Sequence, residues 1–348
     1  MMAAAATKKE SVAAELAWSP AEQLALQGLR WLPAAMALLY AAGLWDADSW
    51  VLSTWAKMLG TDFVRQPMAE AYVAAFSFAG WIILFSLLDA LPLERFRIVP
   101  FSSDSKPAHI SLMAMLAILG VFGAIGTPFG SMGPLAVVLV LTAVALSTGT
   151  VDLFRADTEL MTYTIRSVIT FLVYIGAIQA IHFFREPKPS NLGSISFAQL
   201  VAELVAGLFA YDFLFSILHF GMHKLGPYAS DHRQHHQLSG FSGRVIALDT
   251  VNHGLMDGSL QVLVNIFVQN LALFGGPKHK LSRFLHNVVV TGLLVESHAG
   301  YDGFWSSHRL FPWVLGGAKR HLAHHHHGKK YYQQFFLYLD DLLFSRLS

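Results

Sequence analysis

The stretch FAQLVAELVAGLFAYDFLFSILHFGMH, residues 197–223, carries a long apolar run directly into two histidines four residues apart. A helix that crosses a bilayer needs about 20 predominantly apolar residues, and 197–220 supplies them. His219 and His223 then stand at the cytosolic end of that span, at positions i and i+4 of one helical face. Both imidazoles can therefore turn toward one metal. A little further on, His232, His235 and His236 read H-x-x-H-H, and His321, His324 and His325 repeat the pattern near the C-terminus. Positions i, i+3 and i+4 share a helical face, so each triplet is expected to present its three imidazoles together. One triplet has little meaning; two in one chain ask for a chemical reason.

The second triplet lies in KRHLAHHHHGKKYY (319–332), and sixteen residues follow Tyr332, so it is not a terminal purification tag. A run of neutral imidazoles is also a poor solvating surface beside Lys or Arg. Of the 17 histidines, 15 fall at or after His219, which places the chemistry in the C-terminal part of the chain.

Composition limits what that chemistry can be. Of 348 residues, 54% are hydrophobic and 14% charged, against about 25% charged in an ordinary soluble protein. Mean hydropathy is +0.46. The chain reads as a membrane protein. Its net charge of +1 gives no reason to expect a nucleic acid partner. It has no cysteine, which removes disulfides, thiolate zinc sites, iron–sulfur clusters and thiolate-ligated haem. Any metal must be held by nitrogen and oxygen.

The chain divides into a polar, cytosolic N-terminal tail (1–27), a transmembrane helical region (28–190) and a histidine-bearing region (195–348). No signal-peptide pattern opens it. Apolar runs at 29–45, 71–91, 109–125, 134–146, 163–184 and 197–220 are candidate spans, with Trp31 and Trp45 flanking the first as at a membrane interface. Two shorter runs, 259–275 and 284–296, form a hairpin that returns the chain to the side it left. His298 in ESHAGYD then lies on the same side as His219 and His223. The expected fold is an all-α polytopic membrane bundle with a histidine-rich site facing the cytosol.

Nine imidazoles (His219, His223, His232, His235, His236, His298, His321, His324 and His325) suffice for two metals with four or five ligands each. Zinc needs only three or four, and the H-E-x-x-H pattern of a hydrolytic zinc site is absent. Iron makes sense of the set, because a pair of irons can use dioxygen to attack an unactivated C–H bond in a lipid. His253 and Asp257 are candidates to orient ligands or, for His253, to ligate; His327 and Asp302 are further candidates for an outer role. His109, His182, His279 and His286 read as ordinary structural histidines, His308 as interfacial and His326 as solvated. Phe209, Tyr211, Phe213, Phe215, Tyr301 and Trp305 either line an apolar substrate slot or face lipid and neighbouring helices.

With these residues in hand, the chain resembles the fatty acid hydroxylase/sterol desaturase superfamily. The superfamily pattern H-x3-H, H-x2-H-H, H-x2-H-H appears as His219/His223, His232/His235/His236 and His321/His324/His325. NHGLMDG (252–258) is similar to the family's Asn-His-Pro-Leu-Glu-Gly, with Gly254 in place of Pro and Asp257 in place of Glu. SHAGYD (297–302) is similar to the His-Ser/Cys-Gly-Tyr-Asp segment of sterol-acting members. HGKKYY (327–332) and YLDDLLFS (338–345) resemble the segments after the last box, with Tyr332 near the usual Asn, Leu339 for Trp and Phe344 for Gly.

The resemblance covers about 195–345. It implies a non-haem di-iron oxygenase or desaturase of the endoplasmic reticulum, supplied with electrons from NAD(P)H through a reductase and a b-type cytochrome. No G-x-G-x-x-G dinucleotide fingerprint opens a helix here, so reducing equivalents must come from another protein. A sterol is the first expectation for the substrate. A sphingoid base or fatty acyl chain is the alternative within the superfamily, and a histidine-rich metal transporter is the alternative from another class.

Overall fold

The structure is a computed structural model, and it describes residues 18–89, 91–99, 191–236, 245–272 and 276–342. Among these residues all regular structure is helical, with only isolated β-bridges between loops. The candidate spans at 109–125, 134–146 and 163–184, with His109 and His182, lie outside the described residues.

Helix α1 (Pro20–Ala41) begins inside the stretch that composition assigns to the tail. The reason is local. Ser19 and Glu22 form a reciprocal capping box, and Pro20 occupies the first helical turn, where its missing N–H is not needed. Helices α2 (Ala47–Leu59) and α3 (Asp62–Arg65) lead into α4 (Ala69–Leu88). α4 and α5 (Phe197–Lys224) are long and apolar enough to cross a membrane. At 1.5 Å per residue the 28 residues of α5 reach about 42 Å, more than the ~30 Å hydrocarbon layer. Its last turns, with His219 and His223, therefore stand clear of the apolar layer when its first residues lie at the opposite face.

The chain then turns through Gly226–Pro227 into α6 (Gly226–His235). After a 3-10 turn at Ala247–Val251, α7 (Leu255–Gln269) leaves the histidine end, and α8 (Lys280–His298) returns to it with His298 in its final turn. α8 packs along α4. Ala71, Ala74, Ala75, Ala79 and Ile82 meet Val295 and Ala299 in one buried cluster. Small residues let two helix backbones approach closely, and Gly292 makes room for Trp81, whose Nε1 donates to Val288 O at 2.9 Å. Short α9 (Ser307–Leu310), α10 (Gly317–His327) and α11 (Tyr338–Leu342) complete the described chain. The outcome is a helical membrane protein whose α5, α6, α8 and α10 meet at one end.

Candidate metal centre

Four helices deliver the nine box histidines to that end, but not box by box. His219, His223, His232, His236 and His324 form one group, and His235, His298, His321 and His325 the other; within each, the candidate ligand atoms lie within 4.8 Å of one another. Each H-x-x-H-H triplet is split. The i and i+4 members stay together (His232 with His236, His321 with His325), while the i+3 member crosses to the other group. This corrects the expectation that a triplet presents three imidazoles to one point. Positions i and i+4 lie about 40° apart around a helix, whereas i and i+3 lie about 60° apart on the opposite side. With two centres side by side, that difference is enough to divide the triplet.

The atoms that converge are Nε2. His219 and His232 approach to 3.0 Å, His223 and His232 to 3.1 Å, His232 and His236 to 3.1 Å, and His223 and His324 to 3.1 Å. In the second group His298 lies 3.2 Å from His235 and 2.8 Å from His321, and His321 lies 3.0 Å from His325. For a metal–nitrogen distance of about 2.1 Å, two ligands at right angles stand about 3.0 Å apart.

In six of the nine rings the other nitrogen settles which atom carries the proton. Nδ1 donates to Tyr332 O from His219 (2.8 Å), to Asn252 O from His235 (3.2 Å) and to His325 O from His236 (3.3 Å). It donates to Leu294 O from His298 (2.9 Å) and to Lys330 O from His324 (2.6 Å). His232 Nδ1 donates to Asp257 Oδ2 at 2.8 Å. A carbonyl or carboxylate only accepts, so the proton sits on Nδ1 and the Nε2 lone pair is free. Free lone pairs facing one another at 3 Å repel unless a cation lies between them.

Protonation is not the remedy, because burial and then the neighbouring imidazoles hold His235, His321 and His325 well below the ordinary histidine range. Burial and then His236 and His223 do the same to His324, and burial followed by His232 pushes His236 down to about 4. Neutral imidazole is the metal-binding form. The residues fit a divalent cation in each group.

The loop after α10 is shaped to supply those acceptors. Gly328 and Tyr331 both take left-handed backbone, at φ 62° and 64°, and the turn they make brings the Lys330 and Tyr332 carbonyls to the rings. Asp212, fully buried on α5, anchors the next segment. It accepts from Gln333 Nε2 (2.7 Å), Gln334 N (3.1 Å), Phe335 N (2.7 Å) and Phe336 N (3.4 Å). Asp340 accepts from Tyr332 N at 2.7 Å. Neither aspartate was singled out from the sequence. Asp212 interrupts an apolar run two turns before His219, and that interruption was the available signal.

The remaining candidates separate. Asp257 sits beneath His232, and its second oxygen accepts from Gln261 Nε2 at 2.7 Å. Gly254, where the family has Pro, leaves space for the Asp231 carboxylate, which accepts from Asp257 N at 2.8 Å. His253 is buried with its ring 5.9 Å from that of His235, yet it belongs to neither converging group and its Nδ1 has no partner among the described residues. Asp302 is engaged elsewhere, by His308 Nε2 at 2.9 Å and by Arg309 Nε at 2.5 Å; it corrects the outer role allowed to it, because Arg309 and His308 claim its carboxylate. His327 and His326 are exposed at the end of α10. His279 caps α8, accepting from Leu281 N and donating to Gly193 O.

An apolar cavity of about 80 Å³ has walls from α4, α5, α7 and α8 and is also lined by Thr250 and by His253, whose ring lies 5.9 Å from that of His235. Of the six aromatic residues considered for such a slot, only Tyr211 lines it. Phe209 stacks on Phe336, Phe213 is exposed, Phe215 packs in a core cluster, Tyr301 donates to Asp89 and Trp305 packs on Phe96. A second, polar opening of about 310 Å³ is lined by His223, His232 and His236 of the five-histidine group, by His325 of the four-histidine group, and by Arg233, His326 and His327.

No family model and no solved structure matches the chain. Curated relatives do. A cholesterol 25-hydroxylase-like protein of Danio rerio is 28% identical over 185 residues, 51% of this chain and 68% of the relative. The cholesterol 25-hydroxylases of Mus musculus and Homo sapiens are 30% and 29% identical over 178 and 175 residues, each 49% of this chain and 56% and 61% of the relatives. The match thus spans about half of this chain and rather more than half of the relatives. These likenesses support the resemblance to the fatty acid hydroxylase/sterol desaturase superfamily that the histidine boxes carry.

Proposed function

We propose that the chain is a membrane-bound non-haem di-iron oxygenase that hydroxylates a sterol. The observation that carries this reading is the pair of Nε2 clusters beside an apolar cavity. Two irons held there would supply dioxygen activation and oxidation of an unactivated C–H bond. The chain's own residues do the rest. The carbonyls of Leu294, Lys330 and Tyr332, with Asp257, fix the tautomer and direction of His298, His324, His219 and His232. Buried side chains around the four-histidine group keep water from the cavity end. The polar opening beside Arg233 and His327 leaves the five-histidine group within reach of an electron donor. The relatives' names support the sterol.

On this reading the chain lies in the endoplasmic reticulum membrane with its histidines toward the cytosol. It takes electrons from NAD(P)H through a reductase and a b-type cytochrome. The test joins metal analysis to lipid profiling. Purified protein should carry two irons, and membranes from cells expressing it should gain an oxygen-dependent hydroxysterol. Stoichiometric zinc with no lipid turnover would overturn the proposal in favour of metal handling. Topology has its own check in a chain without cysteine: Arg233→Cys and Lys330→Cys should both label from the cytosolic side.

A further inference from the structure

Along α7 the cavity is lined by Gly258, Gln261, Val262 and Asn265, and Asn265 is the farthest of these from the histidines. Ten helical rises separate Leu255, beside His253, from Asn265, about 15 Å. Asn265 Oδ1 is buried and has no hydrogen-bond partner among the described residues. Of the other polar groups on the wall, Thr250 Oγ1 donates to Ala247 O, Thr291 Oγ1 to Asn287 O and Gln261 Nε2 to Asp257 Oδ1; His253 Nδ1, at the opposite end of α7, is also without a partner among the described residues.

Which end of the Asn265 amide is left over is set from outside the cavity. Lys278 Nζ, a donor, meets Gln269 Oε1 at 3.2 Å. That turns Gln269 Nε2 toward Asn287 Oδ1 at 3.2 Å, and the same oxygen accepts from Asn265 Nδ2 at 3.0 Å. Asn287 Nδ2 donates to Glu70 O at 3.4 Å, which keeps that amide from flipping. The relay begins with a side chain that only donates when charged, so it ends with an amide oxygen that only accepts. A buried polar group left unmatched at such depth marks a place where a ligand supplies the partner.

We propose that Asn265 Oδ1 accepts from a hydroxyl of the lipid that enters this cavity. The lipid then lies with its hydroxyl at Asn265 and its opposite end at the four-histidine group. Lys278, Gln269 and Asn287 are positioning residues for that acceptor. A carboxylate head would set anion against lone pair, so the site takes a neutral alcohol and rejects a free fatty acid. The inference rests on the oxygenase reading only for what happens at the histidine end.

The experiment is equilibrium binding of cholesterol and of cholest-5-ene, which lacks the hydroxyl, to the full iron-loaded chain in lipid nanodiscs. A buried acceptor left without its donor predicts that wild type binds cholesterol about 10–100-fold more tightly. Asn265→Leu should weaken cholesterol binding by about the same factor and leave cholest-5-ene unchanged. Asn265→Ala, which only deletes atoms, replaces it if iron content shows that the leucine variant does not fold. Equal binding of the two lipids by wild type, or discrimination that survives in the variant, overturns the assignment. Turnover is read separately with reductant and dioxygen. Discrimination at Asn265 without oxidation refutes the oxygenase reading alone; oxidation without discrimination refutes this one alone.

Discussion

The two histidine groups are drawn from the same boxes but face different surroundings. The five-histidine group has two half-buried members, His223 and His236, on a polar opening. The four-histidine group is buried throughout, reaches that opening through His325 alone, and has His253, a wall residue of the apolar cavity, beside His235. Their outer contacts differ too. In the first group His219, His232, His236 and His324 each have Nδ1 held by an acceptor. In the second, His321 and His325 have Nδ1 buried without a partner among the described residues. The contrast assigns separate tasks to two centres of similar donor chemistry: exchange with a partner on the wet side, and contact with substrate on the dry one.

The strongest way to break this comparison is to delete one ligand from each side. His232→Ala and His235→Ala come from one triplet, yet each should empty a different centre. Both should abolish turnover, because neighbours on a helix cannot shift to replace a lost imidazole, and each should lower iron content from two to one. A variant of either kind that loses both irons together would show that the triplet works as a unit. Asp257→Ala should act less severely. It leaves every ligand in place but frees the ring of His232, and loss of such an outer partner reduces metal affinity or activity by about 10–100-fold.

A chelator sharpens the contrast by rate. Iron in the five-histidine group lies beside the opening, so removal at neutral pH should be biphasic. His235→Ala, which keeps only that group intact, should show the fast phase alone. A single slow phase in both proteins would mean that the opening does not serve the metal.

Much of this centre was legible in the sequence because imidazole spacing is a local code. Eight of the nine candidate ligands could be named from i, i+3 and i+4 intervals and His298 from its place after the returning hairpin, and the helical membrane fold followed from apolar runs such as 71–91 and 197–220. The division of each triplet was not legible. It depends on how α6 and α10 are rotated against α5 and α8, a tertiary quantity absent from the spacing. Asp212 was hidden for a similar reason. A lone carboxylate in an apolar run has no meaning until the four groups that donate to it, more than a hundred residues on, are folded against it. The aromatic residues misled because an aromatic side chain serves a core as readily as a substrate slot.

The smallest expected effect tests the register of the last box. The sequence allowed His327 a hydrogen bond behind the ligands, with partial loss on substitution. The structure leaves both His326 and His327 exposed within the last turn of α10, which Gly328 N closes by donating to His324 O at 2.7 Å. The acceptors behind His324 and His219 are the carbonyls of Lys330 and Tyr332, so no ring at 326 or 327 is needed to orient a ligand. His326→Ala and His327→Ala should each retain two irons and turnover close to wild type, since substitutions at exposed positions away from special features usually change stability by no more than about 0.5 kcal/mol. Any deficit at His327 should appear only when electrons come from the protein donor, because His327 lines the polar opening, and should vanish with a small chemical reductant. A loss of iron from His326→Ala equal to that from His324→Ala would move the box one residue along and undo the pairing of His321 with His325 on which the four-histidine group depends.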